Sequence, residues 1–250
     1  MPTRNWTREQ LIVAFNLYCR TPFGRISNRN PEIIELAKAI NRSPSAVSWK
    51  LANFSSLDPS VTGRSLSGAT HASSLDREVW DEFNEDWERL SFESEKLRAE
   101  LLGRSIEALQ EKPLPEGKER LATVATRVNQ GFFRAAILAA YDTSCCITGI
   151  KTPELLRASH IIPWSVDTKN RTNPKNGLCL NALHDQAFDC GYIALDDQLK
   201  VLVSPRLRQG VNMALDEMIF RYKGHPIQQP KQFVPDHSFV AYHRDNIFRR

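Results

Sequence analysis

The chain has 250 residues, of which 41% are hydrophobic and 25% are charged, and its formal net charge is +4 at pH 7. This composition is that of a globular protein and excludes a fibrous or wholly disordered chain. The sequence contains no run of about 18 apolar residues, and its start, MPTRNWTREQ, lacks the apolar stretch of a secretory signal. We therefore expect a cytoplasmic protein with no membrane partner.

Three short helices are predicted in residues 1–54. Apolar residues recur at helical spacing in NWTREQLIVAFNLYCR, where Thr7 is the predicted N-cap. The second helix is predicted to begin at Pro31, and the third at Pro44 after a Ser43 cap. Two helices joined by a tight turn are typical of a helix-turn-helix, so residues 1–54 are predicted to bind DNA.

The exposed face of the third helix would then enter a major groove. Residues 1–64 contain nine Lys and Arg against four Asp and Glu, and such a basic balance attracts polyanions. The alternative is a three-helix packing unit with a solvated polar face. The segment ELAKAINRSPSAVSWKLANF also resembles the Myb-like helix-turn-helix regions attached to some bacterial nucleases. The residues expected to contact DNA, with Trp49 on the same face, are Arg42, Ser45, Ser48, Lys50 and Asn53.

Residues 55–112 are predicted to be a spacer. Residues 55–74 are rich in Ser, Gly, Thr and Ala, a loop composition. Residues 76–111 contain twelve Asp and Glu against five Lys and Arg, and they predict one or two helices whose carboxylates are solvated and have no catalytic role. The segment EKPLPEGKER is the predicted domain boundary.

Residues 120–250 are predicted to form one domain of mixed helices and short strands, which makes the chain an α+β protein. A long helix is predicted to end near Tyr141, and a later helix is predicted to be stopped by Gly191. The other predicted elements are a β-hairpin region in CCITG and LLRASHIIPW, a strand in NGLCL, a hairpin in YIALDDQLKVLVSP and a final helix in DHSFVAYHRDNIF.

Several polar residues lie within the 32 residues from Ala158 to Asp189. His160 ends a predicted strand, where a histidine can act as a base near neutral pH, although a histidine beside apolar residues is more often structural. Asp185 and Asp189 are four residues apart on a predicted helix, so their carboxylates can face the same cation. Their coincidence with His160 and with Asn176 favours a functional site.

The segments SHIIPW, NPKNGLCL and LHDQAFDCG resemble the HNH endonuclease family, and FFRAAILAAYDTSCCITG resembles the lead-in of its restriction-type bacterial subgroup, over roughly residues 127–205. The resemblance implies a ββα-metal fold in which His160 is the general base and Asn176 orients it. The helix ligands of the family typically lie nine and thirteen residues after this Asn, which gives Asp185 and Asp189. His184 competes with Asp185 for the first ligand position, and both stay candidates.

One position departs from the family pattern. Many members have Asp or His as a metal ligand just before the base, whereas this chain has Ser159, a weak ligand. Carboxylate ligands suit Mg²⁺ or Mn²⁺, although a nearby histidine would admit other divalent cations. The five cysteines include no Cys-x-x-Cys pair and predict reduced thiols, with neither a disulfide framework nor structural zinc.

The sequence thus predicts a metal-dependent endonuclease of restriction or defence type that cuts double-stranded DNA, with a homodimer expected for palindromic targets. The alternative is a DNA-binding regulator with a catalytically silent HNH-like domain. Trp164 is predicted to be a core residue, and His243 is given no role. Candidate phosphate contacts near the site are Arg157, Lys169, Arg171 and Lys175.

Overall fold

The structure, a computed structural model, describes residues 5–62, 72–103, 105–106 and 119–250. The chain divides into two compact units, Met1–Ala140 and Tyr141–Arg250. Residues 63–71 of the predicted loop and residues 107–118, which include most of the predicted boundary EKPLPEGKER, lie outside the described residues.

All the regular secondary structure in the described part of the N-terminal unit is helical. A single turn of 3₁₀ helix at Phe23–Arg25 follows the first helix. The helices are α1 (Arg8–Arg20), α2 (Pro31–Ala39), α3 (Pro44–Ser55), α4 (Pro59–Thr62), α5 (Ser74–Asn84), α6 (Trp87–Leu101) and α7 (Glu119–Ala140).

The predicted starts of the first three helices are confirmed. The Thr7 hydroxyl accepts a hydrogen bond from the backbone N–H of Gln10, which satisfies one of the unpaired donors at the start of α1. The Ser43 hydroxyl caps α3 in the same way, and Pro31 and Pro44 are the first residues of their helices, where a missing N–H costs nothing.

Helix α1 is the centre of this unit. Its residues from Leu11 to Cys19 are all buried, and it packs against α2, α3, α5, α6 and α7. The ring of Phe15 contacts those of Trp80 and Trp87, with centroids 5.0 and 5.9 Å apart. Helices α5 and α6 therefore complete the core around α1, and the prediction of a separate spacer there is wrong. Because α7 packs on α1 and α6, it too lies in this unit and not in the predicted domain 120–250.

The C-terminal unit begins with a ββα arrangement. Strands β1 (Leu156–His160) and β2 (Gly177–Asn181) are antiparallel, with His160 opposite Gly177, and α8 (Ala182–Asp189) packs on both. A second antiparallel pair follows, and α8 and α10 pack on its first strand. The remaining elements are β3 (Ile193–Leu195), β4 (Val201–Val203), α9 (Met213–Met218) and α10 (His237–Asn246), with 3₁₀ turns at Pro153–Leu155, Pro174–Asn176 and Phe220–Tyr222.

The prediction of a strand in CCITG is wrong. Residues 145–149 form a turn in which the N–H of Gly149 donates to the carbonyl of Cys145 at 2.8 Å, and Gly149 has a φ of +75°. The N–H of Cys146 donates to the carbonyl of Cys179, so this turn is fastened to β2. An apolar run of this length does not distinguish a strand from a buried turn.

Gly191 follows α8 in a conformation that favours glycine. Its φ is +70°, and a Cβ atom here would lie 2.1 Å from the carbonyl oxygen of Ile247. The N–H of Arg249 donates to the carbonyl of Gly191 at 2.9 Å. The chain after α10 therefore crosses directly over this residue.

We expect Gly191→Ala to lower the free energy of unfolding of the C-terminal unit by about 3 kcal/mol. The left-handed backbone would cost roughly 1 kcal/mol and the steric overlap roughly 2 kcal/mol. Denaturant unfolding measures this loss. Gly210→Ala is the matched control, because Gly210 has a φ of +78° but no atom within 4 Å of the added Cβ. Equal losses in the two variants would mean that the overlap is relieved without cost.

No helix in the described part of the chain combines the length and the apolar character that a membrane crossing requires.

Candidate active site

His160 lies at the end of β1, where the strand gives way to the loop before β2. Its Nε2 donates to the carbonyl oxygen of Arg171 at 2.8 Å, because a carbonyl can only accept. The neutral ring therefore has its lone pair on Nδ1, the nitrogen that can take a proton. Burial lowers the pKa of His160, and the hydrogen bond to Arg171 and the carboxylate of Asp185 partly offset that effect. Burial thus favours the neutral ring, which is the form that can accept a proton.

Asn176 is fully buried and holds the backbone that follows His160. Its Oδ1 accepts from the N–H of Ile162 at 2.8 Å, its Nδ2 donates to the carbonyl of Ile162 at 3.1 Å, and its own carbonyl accepts from Ile161. Its Nδ2 also donates to the carbonyl of Asn170 at 3.2 Å. Asn176 does not itself bond the His160 ring in any of these contacts, so it positions that residue through the backbone.

The loop between the strands is organised by polar side chains at every third position. Asp167 accepts from the side chain of Asn170 at 2.7 Å, and Asn173 donates to the side chain of Asn170 at 2.9 Å. Asn176 completes the series through the carbonyl of Asn170. We call Asp167, Asn170, Asn173 and Asn176 the loop ladder. The ladder gives a long loop a fixed shape.

Asp185 and Asp189 occupy one face of α8, as their spacing predicts. Desolvation raises the pKa of Asp185, and Ser159 and Arg157 partly oppose that rise. Partial desolvation and repulsion by Asp185 raise the pKa of Asp189 to about 6. The two carboxylates are therefore close enough to repel each other, which is the arrangement that a shared cation would relieve.

His184 faces away from this pair and is buried. Its Nδ1 accepts from the Nδ2 of Asn181 at 2.7 Å, and its Nε2 donates to the carbonyl of Met218 at 2.7 Å. Both ring nitrogens are thus used inside the fold. The His184 ring is therefore directed into the fold, whereas the Asp185 carboxylate lies near Asp189.

The donor set fits a hard cation. Ser159 is buried, its hydroxyl has no partner at hydrogen-bond geometry in the described part of the chain, and it faces Asp185, whose pKa it lowers. Among the described residues no group of three or more His, Cys, Asp or Glu is arranged to hold a metal. The protein would therefore supply two carboxylates and leave other positions to water and phosphate oxygens, as is usual for Mg²⁺.

Residues 145–196 match the family model described as HNH endonuclease. Because of this similarity, we call residues 145–196 the HNH domain, and its cluster of His160, Asn176, Asp185 and Asp189 the HNH site. The resemblance seen in SHIIPW, NPKNGLCL and LHDQAFDCG is thereby confirmed over this segment, which contains His160, Asn176, Asp185 and Asp189. A search of curated proteins finds no match to the chain.

The four predicted phosphate contacts differ in how exposed their side chains are. Arg157 is exposed on β1 and lies near enough to Asp185 to lower its pKa. Lys169 is exposed on the loop, and Lys175 is half-buried in the turn before β2. Arg171 is half-buried, and its Nε donates to the carbonyl of Trp164 at 2.9 Å. Arg157 and Lys169 are thus the most accessible of the four.

In the N-terminal unit, two of the predicted DNA contacts serve the fold. Lys50 is only 7% exposed, and its Nζ bonds both carboxylate oxygens of Asp76 at 2.8 and 2.9 Å, so its placement on the exposed face of α3 is wrong. Arg42 donates to Gln10 and to the carbonyl of Asn5, and its guanidinium lies 4.3 Å from the centre of the Trp6 ring.

The other residues of that face remain accessible. Ser45 is exposed, Ser48 and Asn53 are half-buried, and Trp49 is 65% exposed. The polar face of α3 is therefore smaller and less basic than the sequence predicts.

The structure gives three residues, in or next to the HNH site, contacts that the sequence did not predict. Trp164 is half-buried, and its ring lies nearly perpendicular to that of His160 with centroids 5.5 Å apart, so it contacts the site and is not a core residue beneath it. Asn181 caps α8 and orients His184. The Asn181 role could have been found, since Asn before a helical segment is a capping signal. The third residue is His243 on α10, whose ring packs against α8.

His243 stacks on Phe188, with ring centroids 3.6 Å apart, and its Nε2 donates to the carbonyl of Phe188 at 3.1 Å. Its Nδ1 is buried with no partner in the described part of the chain. Burial lowers the pKa of His243 to about 4, against an ordinary value of 6.5. Protonation is therefore easier in the unfolded chain than in the folded one.

We expect His243 to destabilise the C-terminal unit as the pH falls from about 6.5 to about 4. Over that window the unfolded state binds the proton first, so this residue removes up to about 1.4 kcal/mol of unfolding free energy per pH unit. Denaturant unfolding of wild type and of His243→Leu at several pH values measures the contribution. The variant should show a shallower acid slope, and parallel slopes would contradict the buried neutral ring.

Proposed function

We propose that the protein is a metal-dependent DNA endonuclease of the restriction or defence type, with His160 as its general base. The observation that supports this most strongly is the position of His160, whose Nε2 is held by a backbone carbonyl next to a helix that carries two mutually repelling carboxylates. An imidazole with its lone pair on Nδ1 is suited to take a proton from an attacking water.

In this mechanism the protein orients the base and holds the charge of the substrate. Nδ1 of His160 takes a proton from a water molecule as the water oxygen attacks the phosphorus. The P–O bond to the 3′ oxygen breaks, this oxygen takes a proton from solvent, and the products are a 5′-phosphate and a 3′-hydroxyl. Arg157 and Lys169 are exposed, and we expect them to contact flanking phosphates. Asp185 and Asp189 would hold a divalent cation, Mg²⁺ or Mn²⁺, which when bound offsets negative charge on the phosphate and on the leaving oxygen.

Target choice would lie with the N-terminal unit. Helices α2 and α3 are separated by four residues, and α3 presents Ser45, Trp49 and Asn53 at its surface. We propose that this face contacts bases in the manner of a helix-turn-helix. A homodimer would match a palindromic target, and the molar mass in solution tests that expectation.

The proposed activity is tested by incubating supercoiled plasmid with the protein and Mg²⁺ or Mn²⁺, with a chelator control. We expect nicked or linear DNA with the metal and intact plasmid with the chelator. Retarded but uncut DNA with each cation would favour the second candidate, a DNA-binding regulator. The specific observation that favours that candidate is Ser159, which places a hydroxyl where many family members have a stronger ligand.

A further inference from the structure

Three residues of the HNH domain form a closed circuit of contacts. Nε2 of His160 donates to the carbonyl of Arg171 at 2.8 Å, and Nε of Arg171 donates to the carbonyl of Trp164 at 2.9 Å. The guanidinium of Arg171 lies 5.2 Å from the centre of the Trp164 ring. The Trp164 and His160 rings are in contact at an interplanar angle of 83°. Each residue thus contacts the other two.

These contacts hold Trp164 and Arg171, which lie in the loop after β1, next to the end of that strand. Trp164 lies four residues after His160, and Arg171 lies seven residues after Trp164. The side chain of Arg171 returns to the start of the loop, while its carbonyl points at the histidine. Releasing the Arg171 side chain would remove its bond to the Trp164 carbonyl, which helps to hold the Arg171 carbonyl next to the His160 ring.

We propose that Trp164 and Arg171 are positioning residues that together set the tautomer and the ring orientation of His160. The Arg171 carbonyl requires a proton on Nε2 and so leaves the lone pair on Nδ1. The perpendicular contact with the Trp164 ring limits rotation of the imidazole about its Cβ–Cγ bond. This inference rests on the proposed function for its catalytic consequence, but the tautomer can be measured without DNA or metal.

A competing role for Arg171 is direct contact with a DNA phosphate through its guanidinium. The two roles predict different kinetics. Loss of a contact made equally in the ground and transition states raises KM and leaves kcat unchanged, whereas a misplaced base lowers kcat. A displacement of the base by about 1 Å can lower the rate about 100-fold.

The experiment compares Trp164→Leu and Arg171→Met with the conservative variant Trp164→Phe. Arg249→Lys is the control, because Arg249 makes the same kind of contact with an aromatic ring, 4.9 Å from the centre of Tyr192. Steady-state cleavage of a DNA duplex with Mn²⁺ gives kcat and KM. Nitrogen-15 NMR of the metal-free full chain reports which ring nitrogen of His160 carries the proton.

We expect kcat to fall about 10- to 100-fold in Trp164→Leu and Arg171→Met, with KM nearly unchanged, and Trp164→Phe to recover most of the rate. The NMR signal should change from the Nε2–H tautomer to a mixture in the first two variants and stay unchanged in Arg249→Lys. An unchanged tautomer in Trp164→Leu and Arg171→Met would overturn the proposal. So would a raised KM with kcat intact, which assigns Arg171 to the phosphate.

The proposed function can fail separately. If wild type cuts no DNA with any divalent cation but the variants still shift the tautomer, the positioning role stands and the nuclease activity does not. If wild type cuts DNA but Trp164→Leu and Arg171→Met leave the tautomer of His160 unchanged, the nuclease activity stands and the positioning role does not.

Discussion

His160→Ala should lower the rate of DNA cleavage by about 100- to 10,000-fold while leaving the affinity for DNA nearly unchanged. General-base catalysis contributes a factor of this size, and the Arg157 and Lys169 contacts proposed for the phosphates do not depend on the imidazole. Gel-based cleavage under single-turnover conditions measures the rate, and a mobility shift with Ca²⁺ in place of Mg²⁺ measures the affinity.

His225→Ala is the matched control for this experiment. His225 is exposed in the same unit, beside β4, and its backbone carbonyl rather than its ring bonds Val201. The control should cut DNA like wild type and keep the wild-type melting temperature, because its ring is exposed. If His160→Ala keeps full activity, the proton acceptor is another group and the mechanism proposed for Nδ1 fails.

Lys50→Met should lower the free energy of unfolding of the N-terminal unit by about 4 kcal/mol. The substitution keeps the apolar stem but removes the ammonium, and it leaves the fully buried carboxylate of Asp76 without its charged partner. Breaking a buried pair on one side costs about 3–5 kcal/mol, because the remaining charge is uncompensated. Chemical denaturation followed by the tryptophan fluorescence of α5 and α6 would detect the change.

Lys38→Met provides the comparison, because Lys38 is exposed on α2. It should change stability by no more than about 0.5 kcal/mol. Adding Asp76→Asn to Lys50→Met should recover part of the loss, since a neutral amide is cheaper to bury than an unpaired carboxylate. A Lys50→Met protein as stable as Lys38→Met would mean that water reaches Asp76.

Contacts between residues near in sequence could be predicted, whereas contacts between distant residues could not, and the N-terminal unit shows both cases. The starts of α1, α2 and α3 were predictable because capping residues act on N–H groups two or three positions away. The burial of Lys50 was not, because it depends on Asp76, which lies 26 residues further along the chain. Helical spacing indicates which residues share a face, but not which neighbour will cover that face.

The same distinction applies within the HNH domain. The positions of His160, Asn176, Asp185 and Asp189 followed from short segments of sequence. The direction of the His184 side chain did not, because it depends on the carbonyl of Met218, 34 residues after His184. Adjacent residues on a helix differ in direction by about 100°, and only the packing of α8 shows which of the two faces inward.

The loop ladder has a consequence for how the site forms. Asp167, Asn170, Asn173 and Asn176 bond one another over ten residues, and Asn176 binds the backbone directly after His160. Contacts between residues so near in sequence need little loop closure and form early in folding. We expect the hairpin of β1 and β2 to act as a folding nucleus, with the histidine already aligned before α10 docks on β3.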